Sequence, residues 1–133
     1  MTPQARRGSG PVVLDASALL ALLAEEPGAD QIEALLEGAA MSTVNLSEVL
    51  QKSEQHGIDT EGLEFDLEAL GVAFRAFDVP DARSTAERWT AGAGLSLGDR
   101  SCLALAHSIG GTAVTTEKRW IAAAPDVTVR AIR

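Results

Sequence analysis

The stretch Pro11-Val-Val-Leu-Asp-Ala-Ser-Ala-Leu-Leu20 decides how the chain is read. Pro11 to Leu14 is a short apolar run of the kind that forms a buried strand. An acid, Asp15, follows it directly. The Ala- and Leu-rich segment Ala16–Ala24 predicts a helix, which Glu-Glu-Pro-Gly at 25–28 then stops. Strand, acid and helix in immediate succession open an α/β unit, and the same alternation continues downstream.

Working outward, Ala29–Glu37 predicts a second helix closed by Gly38, and Ala39–Ser42 a short strand. Ser42 or Thr43 caps a helix running to about His56, ended by Gly57. Glu61–Leu70 reads as an amphipathic helix and Val72–Phe77 as a strand. Asp78 caps a helix with Pro80 in its first turn, continuing to about Ala91. Residues 91–98 form a glycine-rich loop, and Asp99 opens a helix that reaches Ile109 before Gly110 and Gly111. Thr112–Thr115 is a strand, Glu117–Ala124 a short helix and Val127–Ile132 a final strand. Strands alternating with helices predict an α/β fold: one small parallel central sheet with helices on both faces, spanning 11–133, behind a flexible tail at 1–10.

Composition narrows the classes. At 133 residues, 46% of them apolar, the chain suits one domain with a proper core. No apolar run is long enough for a membrane span, and the opening MTPQARRGSG lacks the apolar region of a secretory signal. The single cysteine, Cys102, excludes an internal disulfide and a cysteine metal cage, so the cytoplasm is the expected compartment. A net charge of −8 argues against generic nucleic-acid binding. That charge is uneven. Residues 1–70 hold three basic and thirteen acidic groups, whereas 71–133 hold eight basic and six acidic. An acidic cluster neutralised by divalent metal and rimmed by arginines would reconcile the balance with a phosphate ligand.

Four acids stand out by context. Asp15 lies at the carboxyl end of the first strand, and Glu117 just beyond the strand ending at Thr115; open α/β sheets bind ligands at that end. Glu48 sits in the mostly apolar Val44-Asn-Leu-Ser-Glu-Val-Leu50, and Asp99 in the first turn of Gly98-Asp-Arg-Ser-Cys-Leu-Ala-Leu-Ala106. Each has an ordinary reading: Asp15 and Asp99 as helix caps, Glu48 as a solvated helix face, Glu117 as a first-turn acid. Together they suggest a shared crevice. Clustered carboxylates repel one another, and a divalent cation with a preference for oxygen ligands, Mg²⁺ or Mn²⁺, removes the conflict. Such an ion also activates water and stabilises charge at a phosphodiester. No other nucleophile set competes. His56 and His107 read as surface or packing residues, Ser17 has no histidine partner, and Cys102 reads as a small core residue.

These residues resemble the PIN-domain family. Val12-Val-Leu-Asp-Ala-Ser-Ala-Leu-Leu20 is similar to its opening strand and acid, Ser47-Glu-Val49 to its second acidic position, and Leu97-Gly-Asp-Arg-Ser-Cys-Leu-Ala-Leu-Ala106 to its third. Thr115-Thr-Glu-Lys-Arg-Trp120 is similar to its closing motif. The resemblance implies metal-dependent RNA cleavage. Asp15, Glu48 and Asp99 would hold Mg²⁺ or Mn²⁺, Glu117 would complete the site, and Ser17 and Thr115 would orient water or an acid. The single-domain size looks like the VapC-type toxins of VapBC toxin–antitoxin systems, which implies a homodimer and a small VapB-type antitoxin covering the acidic pocket. One departure is Glu117, where the family usually has Asp. Arg100, Lys118 and Arg119 flank the proposed acids and are either phosphate contacts or ordinary surface cations. The rival readings are a phospho-acceptor receiver module, a DNA-flap nuclease and a nuclease-silent PIN scaffold. The first lacks an acidic partner beside Asp15, the second needs more chain, and the third sits poorly with four acids in place.

Overall fold

The computed structural model describes residues 10–132. The expected tail at 1–10 therefore lies, apart from Gly10, outside the described residues. Five strands form one parallel sheet: β1 (Val12–Leu14), β2 (Ala40–Ser42), β3 (Ala73–Arg75), β4 (Thr112–Thr115) and β5 (Thr128–Ala131), in the order β3-β2-β1-β4-β5. The α/β class and the parallel sheet are as the alternation predicts. Seven helices are present among the described residues: α1 (Ala16–Leu23), α2 (Ala29–Glu33), α3 (Thr43–Gln55), α4 (Leu63–Ala69), α5 (Val79–Glu87), α6 (Leu97–Ile109) and α7 (Trp120–Ala123). None is long and apolar enough to cross a membrane.

The period-two alternation of the central strands splits the core into two layers. Leu14, Met41 and Val114 pack with Leu19, Ile32, Val49 and Leu67 on the face covered by α1–α4. Val13, Ala40 and Ala113 pack with Cys102, Leu103, Ala106 and Trp120 on the other, beneath α6 and α7. Much of the Ala/Leu richness of 16–37 is thereby core: Ala16, Ala18, Leu19, Ala21, Ile32 and Leu36 are all buried, while Leu20, Leu22 and Leu23 are partly so.

The differences from expectation are local. The predicted helix over 29–37 is α-helical only to Glu33. Beyond it the chain tightens into i→i+3 turns, with Leu35 N donating to Ile32 O and Leu36 N to Glu33 O, which folds Leu36 into the core before Gly38 turns toward β2 at φ 83°. Helix α6 starts two residues before Asp99. Ser96 is its N-cap, and Asp99 is the N3 partner that reaches back to the Ser96 backbone N–H, a reciprocal capping box. The last short helix begins at Trp120 rather than Glu117, because Glu117 N is held by Thr115 Oγ1 in a local turn. Helix α5 stops at Glu87 instead of Ala91, and β3 covers only Ala73–Arg75 of the predicted 72–77.

Leu103 is fully buried between α6 and the sheet. Leu103→Ala is expected to cost about 2–5 kcal/mol of unfolding free energy, the range for a core leucine that leaves a cavity. Urea unfolding of the variant against wild type checks this; a loss well under 1 kcal/mol would show that α6 does not seal the second layer.

Candidate active site

The strand order reverses direction between β1 and β4. The chain leaves β1 toward β2 on one side and returns from β3 to β4 on the other, which opens a crevice at the carboxyl ends of these two strands. Asp15 and Thr115 stand at its floor. The register pairs Leu14 with Val114, and Asp15 N donates to Val114 O at 3.1 Å, so the two side chains meet.

Asp15 is only 3% exposed, and its carboxylate is ringed by donors. Thr115 Oγ1 donates to Oδ2 at 2.6 Å, Ala18 N donates to Oδ1 at 2.8 Å, and Ser17 Oγ lies 2.8 and 2.9 Å from the two oxygens. The Ala18 bond is also the N-cap of α1, so the ordinary role and the site role fall on one residue. Burial pushes the Asp15 pKa from 3.8 up to about 6; the hydrogen bonds from Thr115, Ala18 and Ser17 oppose the rise, and the charge of Asp99 adds to it. Ser17 further accepts Thr116 N at 3.1 Å, which ties α1 to the turn after β4.

Glu48 comes from α3. Asn45, one turn earlier on that helix and 1% exposed, donates through Nδ2 to Glu48 Oε1 at 2.9 Å and to Gly98 O on α6 at 3.1 Å. Asp99 follows Gly98. Glu48 thus lies against the first turn of α6, in which Asp99 stands. The buried Cys102 thiol, hydrogen-bonded to Val13 O, registers all three acids: its pKa is pushed well up by burial first, then by the charges of Asp15, Asp99 and Glu48.

Glu117 stands apart from these three. Its side chain is 46% exposed and pairs with Arg119 Nε at 3.6 Å. The same guanidinium reaches Asp99 Oδ2 at 3.5 Å and donates to Gly94 O at 2.7 Å, so Arg119 links the two outer acids to the 91–95 loop. Long, half-exposed ion pairs of this kind contribute little stability. Arg100, adjacent to Asp99 in sequence, points elsewhere: its Nη1 donates to Thr85 O and braces α6 against α5. Lys118 is exposed, as are His56 and His107.

The carboxylates of Asp15, Glu48 and Asp99 offer oxygen donors only, the chemistry that hard divalent cations prefer. Among the described residues no three or more His, Cys, Asp or Glu side chains stand together as a group that could hold a metal ion. Sequence reasoning passed over two neighbours of the acids, Asn45 and Gly98. The available signal was an asparagine one helical turn before the acid, in a helix interior that asparagine does not favour.

The Asp15 environment has a measurable sign. An acid held above its unfolded value keeps its proton longer in the folded state. Below about pH 4 both states are protonated and nothing is lost; the penalty grows as pH rises from 3.8 to about 6 and is constant above. Its full size is roughly 2–3 kcal/mol. Asp15→Asn removes it, so the stability of the variant minus that of wild type, measured without divalent ions, is expected to climb between pH 4 and pH 6. Parallel stability–pH curves for the two proteins would contradict this account of the site.

The fold is similar to that of PAE2754 from Pyrobaculum aerophilum, with a TM-score of 0.56 at 22% identity over 90% of each chain. FitAcB from Neisseria gonorrhoeae aligns with a TM-score of 0.60 at 23% identity, over 89% of this chain and 95% of that one. The PilT N-terminus domain protein SSO1118 from Sulfolobus solfataricus P2 aligns with a TM-score of 0.52 at 17% identity, over 90% and 85%. A search of curated protein sequences gave no match. At these identities the structures speak to fold alone, but the sequence profile described as PIN domain matches residues 12–125, nearly the whole described chain, and the chain therefore belongs to the PIN-domain family.

Proposed function

We propose that this protein is a divalent-metal-dependent endoribonuclease, the toxin of a VapBC-type toxin–antitoxin pair. PIN domains are typically nucleases that use divalent metal ions. The observation that carries the reading here is the buried Asp15 at the switch point, saturated by Thr115, Ser17 and Ala18 N and facing the charge of Asp99. A carboxylate placed where burial and a like charge both oppose it marks a site shaped for a cation.

In this reading Asp15, Glu48 and Asp99 hold Mg²⁺ or Mn²⁺, and Glu117 completes the site from its rim. The bound ion would supply an activated water and charge neutralisation at the scissile phosphate. Thr115, Ser17 and the Ala18 amide fix the Asp15 carboxylate against rotation. Arg119, half-exposed and held by long pairs to Asp99 and Glu117 and a 2.7 Å bond to Gly94 O, would turn toward an RNA phosphate by giving up these contacts, and Lys118 lies exposed beside it. A phospho-acceptor role fits less well, because Asp15 has no acid beside it in the sequence and Lys118 lies next to Glu117 in the closing motif.

The partner reading has its own support. A groove of about 540 Å³ runs between α1 and α3, floored by Leu20, Leu23 and Ile58 and ending at Ser17 and Thr116 on the edge of the acidic site. It suits an antitoxin segment with an apolar stretch followed by an arginine that enters the acids in place of metal. The proposed assembly is a homodimer acting on RNA in the cytoplasm, with the VapB-type antitoxin seated over the site.

Asp15→Asn and Asp99→Asn are each expected to lower RNA cleavage roughly a hundredfold or more, since even the outer partners of metal ligands carry effects of 10–100-fold. EDTA should stop the wild-type reaction, and Mn²⁺ should restore it. Cleavage that persists in EDTA, or a double variant cutting at the wild-type rate, would retire the proposal.

Glu117 tests the departure from the family's usual aspartate. As an acid that would reach the ion through water, it should matter less than Asp15. Glu117→Gln is expected to slow cleavage partially and to weaken apparent Mg²⁺ affinity, with excess Mn²⁺ recovering much of the rate. Superimposable Mg²⁺ titrations for wild type and Glu117→Gln would leave a three-acid site.

A further inference from the structure

Helix α6 carries a glycine at its second position, where almost any other residue is a better helix former. Its φ is not in the left-handed region, so the backbone does not require glycine there. Space does. A Cβ at Gly98 would run into the carboxyl carbon and both carboxylate oxygens of Glu48, the farther oxygen at 2.7 Å. The Glu48 carboxylate therefore lies flat against the α6 backbone, in room that exists only because residue 98 has no side chain.

Asn45 holds the other side of the same carboxylate. Both its contacts, Glu48 Oε1 and Gly98 O, are acceptors, so the amide must present Nδ2 to them. This orientation leaves Asn45 Oδ1 buried without a hydrogen-bond partner among the described residues. A buried asparagine that leaves an acceptor unsatisfied in order to hold an acid on its own helix and a backbone carbonyl 53 residues further along the chain is placed for that pairing.

We propose that Gly98 and Asn45 together form a slot that sets where the Glu48 carboxylate stands, which makes the missing side chain at 98 a positioning element of the metal site. The inference rests on the metal-site reading above. It goes further in assigning the geometry of Glu48 to two residues that would not themselves touch the ion. Because the obstructing atoms belong to the end of a flexible side chain, an added methyl moves the carboxylate and spares the helix.

The experiment compares wild type, Gly98→Ala, Glu48→Asp and the double variant Gly98→Ala/Glu48→Asp. Mn²⁺ binding is followed by the electron paramagnetic resonance signal of the free ion, and melting temperature is recorded in EDTA. Gly98→Ala is expected to bind Mn²⁺ at least tenfold more weakly while melting in EDTA at or above the wild-type temperature. Glu48→Asp, one methylene shorter, should also bind weakly. The double variant should bind more tightly than Gly98→Ala alone, because the shorter acid clears the methyl. Asn45→Ala should weaken Mn²⁺ binding several-fold with both acids intact. Wild-type Mn²⁺ affinity in Gly98→Ala would overturn the slot, and so would a double variant weaker than either single variant. A Gly98→Ala protein that melts far lower in EDTA would overturn it too, by showing that the glycine serves packing. Wild type that binds no Mn²⁺ would overturn the metal reading itself, an outcome distinguishable from the others because it appears before any substitution.

Discussion

The carboxylate of Asp15, buried at the end of the central strand, sets the terms for much of its surroundings. A charged group in that position is tolerated only when its oxygens are met by donors. The donors come from distinct places: the first turn of α1, the Ser17 hydroxyl, and Thr115 at the end of β4. Each supply fixes geometry. The Ala18 amide sets the entry angle of α1, and the Thr115 bond pins the β1–β4 register at Leu14 opposite Val114. A slip of one residue would turn Thr115 to the other face and put Ala113 and Val114 into the wrong layers.

Around this fixed point the other acids are brought in by elements with separate reasons for being where they are. Helix α3 follows β2 and packs through Val49, and α6 covers the second layer through Cys102, Leu103 and Ala106. Their N-terminal halves carry Glu48 and Asp99. The result is like charge over an apolar interior, eased by the Asn45 amide at Glu48 and by the long contacts of Arg119 to Asp99 and Glu117. A fold selected for stability alone would place neutral residues here. The rule broken at this spot is the usual mark of a site under a different demand.

Much of this was legible in the linear sequence, and the reason is periodicity. The apolar run 11–14 with an acid directly after it reports strand, strand end and ligand side at once, and the glycine stops fix where helices finish. Asp15 could be singled out because an acid between Val-Val-Leu and Ala-Ser-Ala has no solvated face to occupy. What escaped the reading depends on contacts through space. The capping of α6 by Ser96 rather than Asp99 depends on which of two polar residues three apart takes the N-cap. Arg100 reads like a site cation beside Asp99, yet its side chain finds Thr85 O on a neighbouring helix. Asn45 and Gly98 are invisible as a pair, since nothing along the chain links residues 53 apart. The straight helix expected over 29–37 fails because the chain must turn inward to bury Leu36.

The bond between Thr115 and Asp15 joins residues 100 apart in sequence, and the two strands that carry them are immediate neighbours in the sheet. Closing so large a loop is entropically late work in folding. On a ribosome the first strand emerges early, yet it has no partner on its β4 side until the segment 112–115 has left the exit tunnel. Until then the growing polypeptide holds a carboxylate at Asp15 that lacks one of its donors. An acid made early thus waits for a hydroxyl made 100 residues later, and the β1–β4 seam closes only when the two can meet.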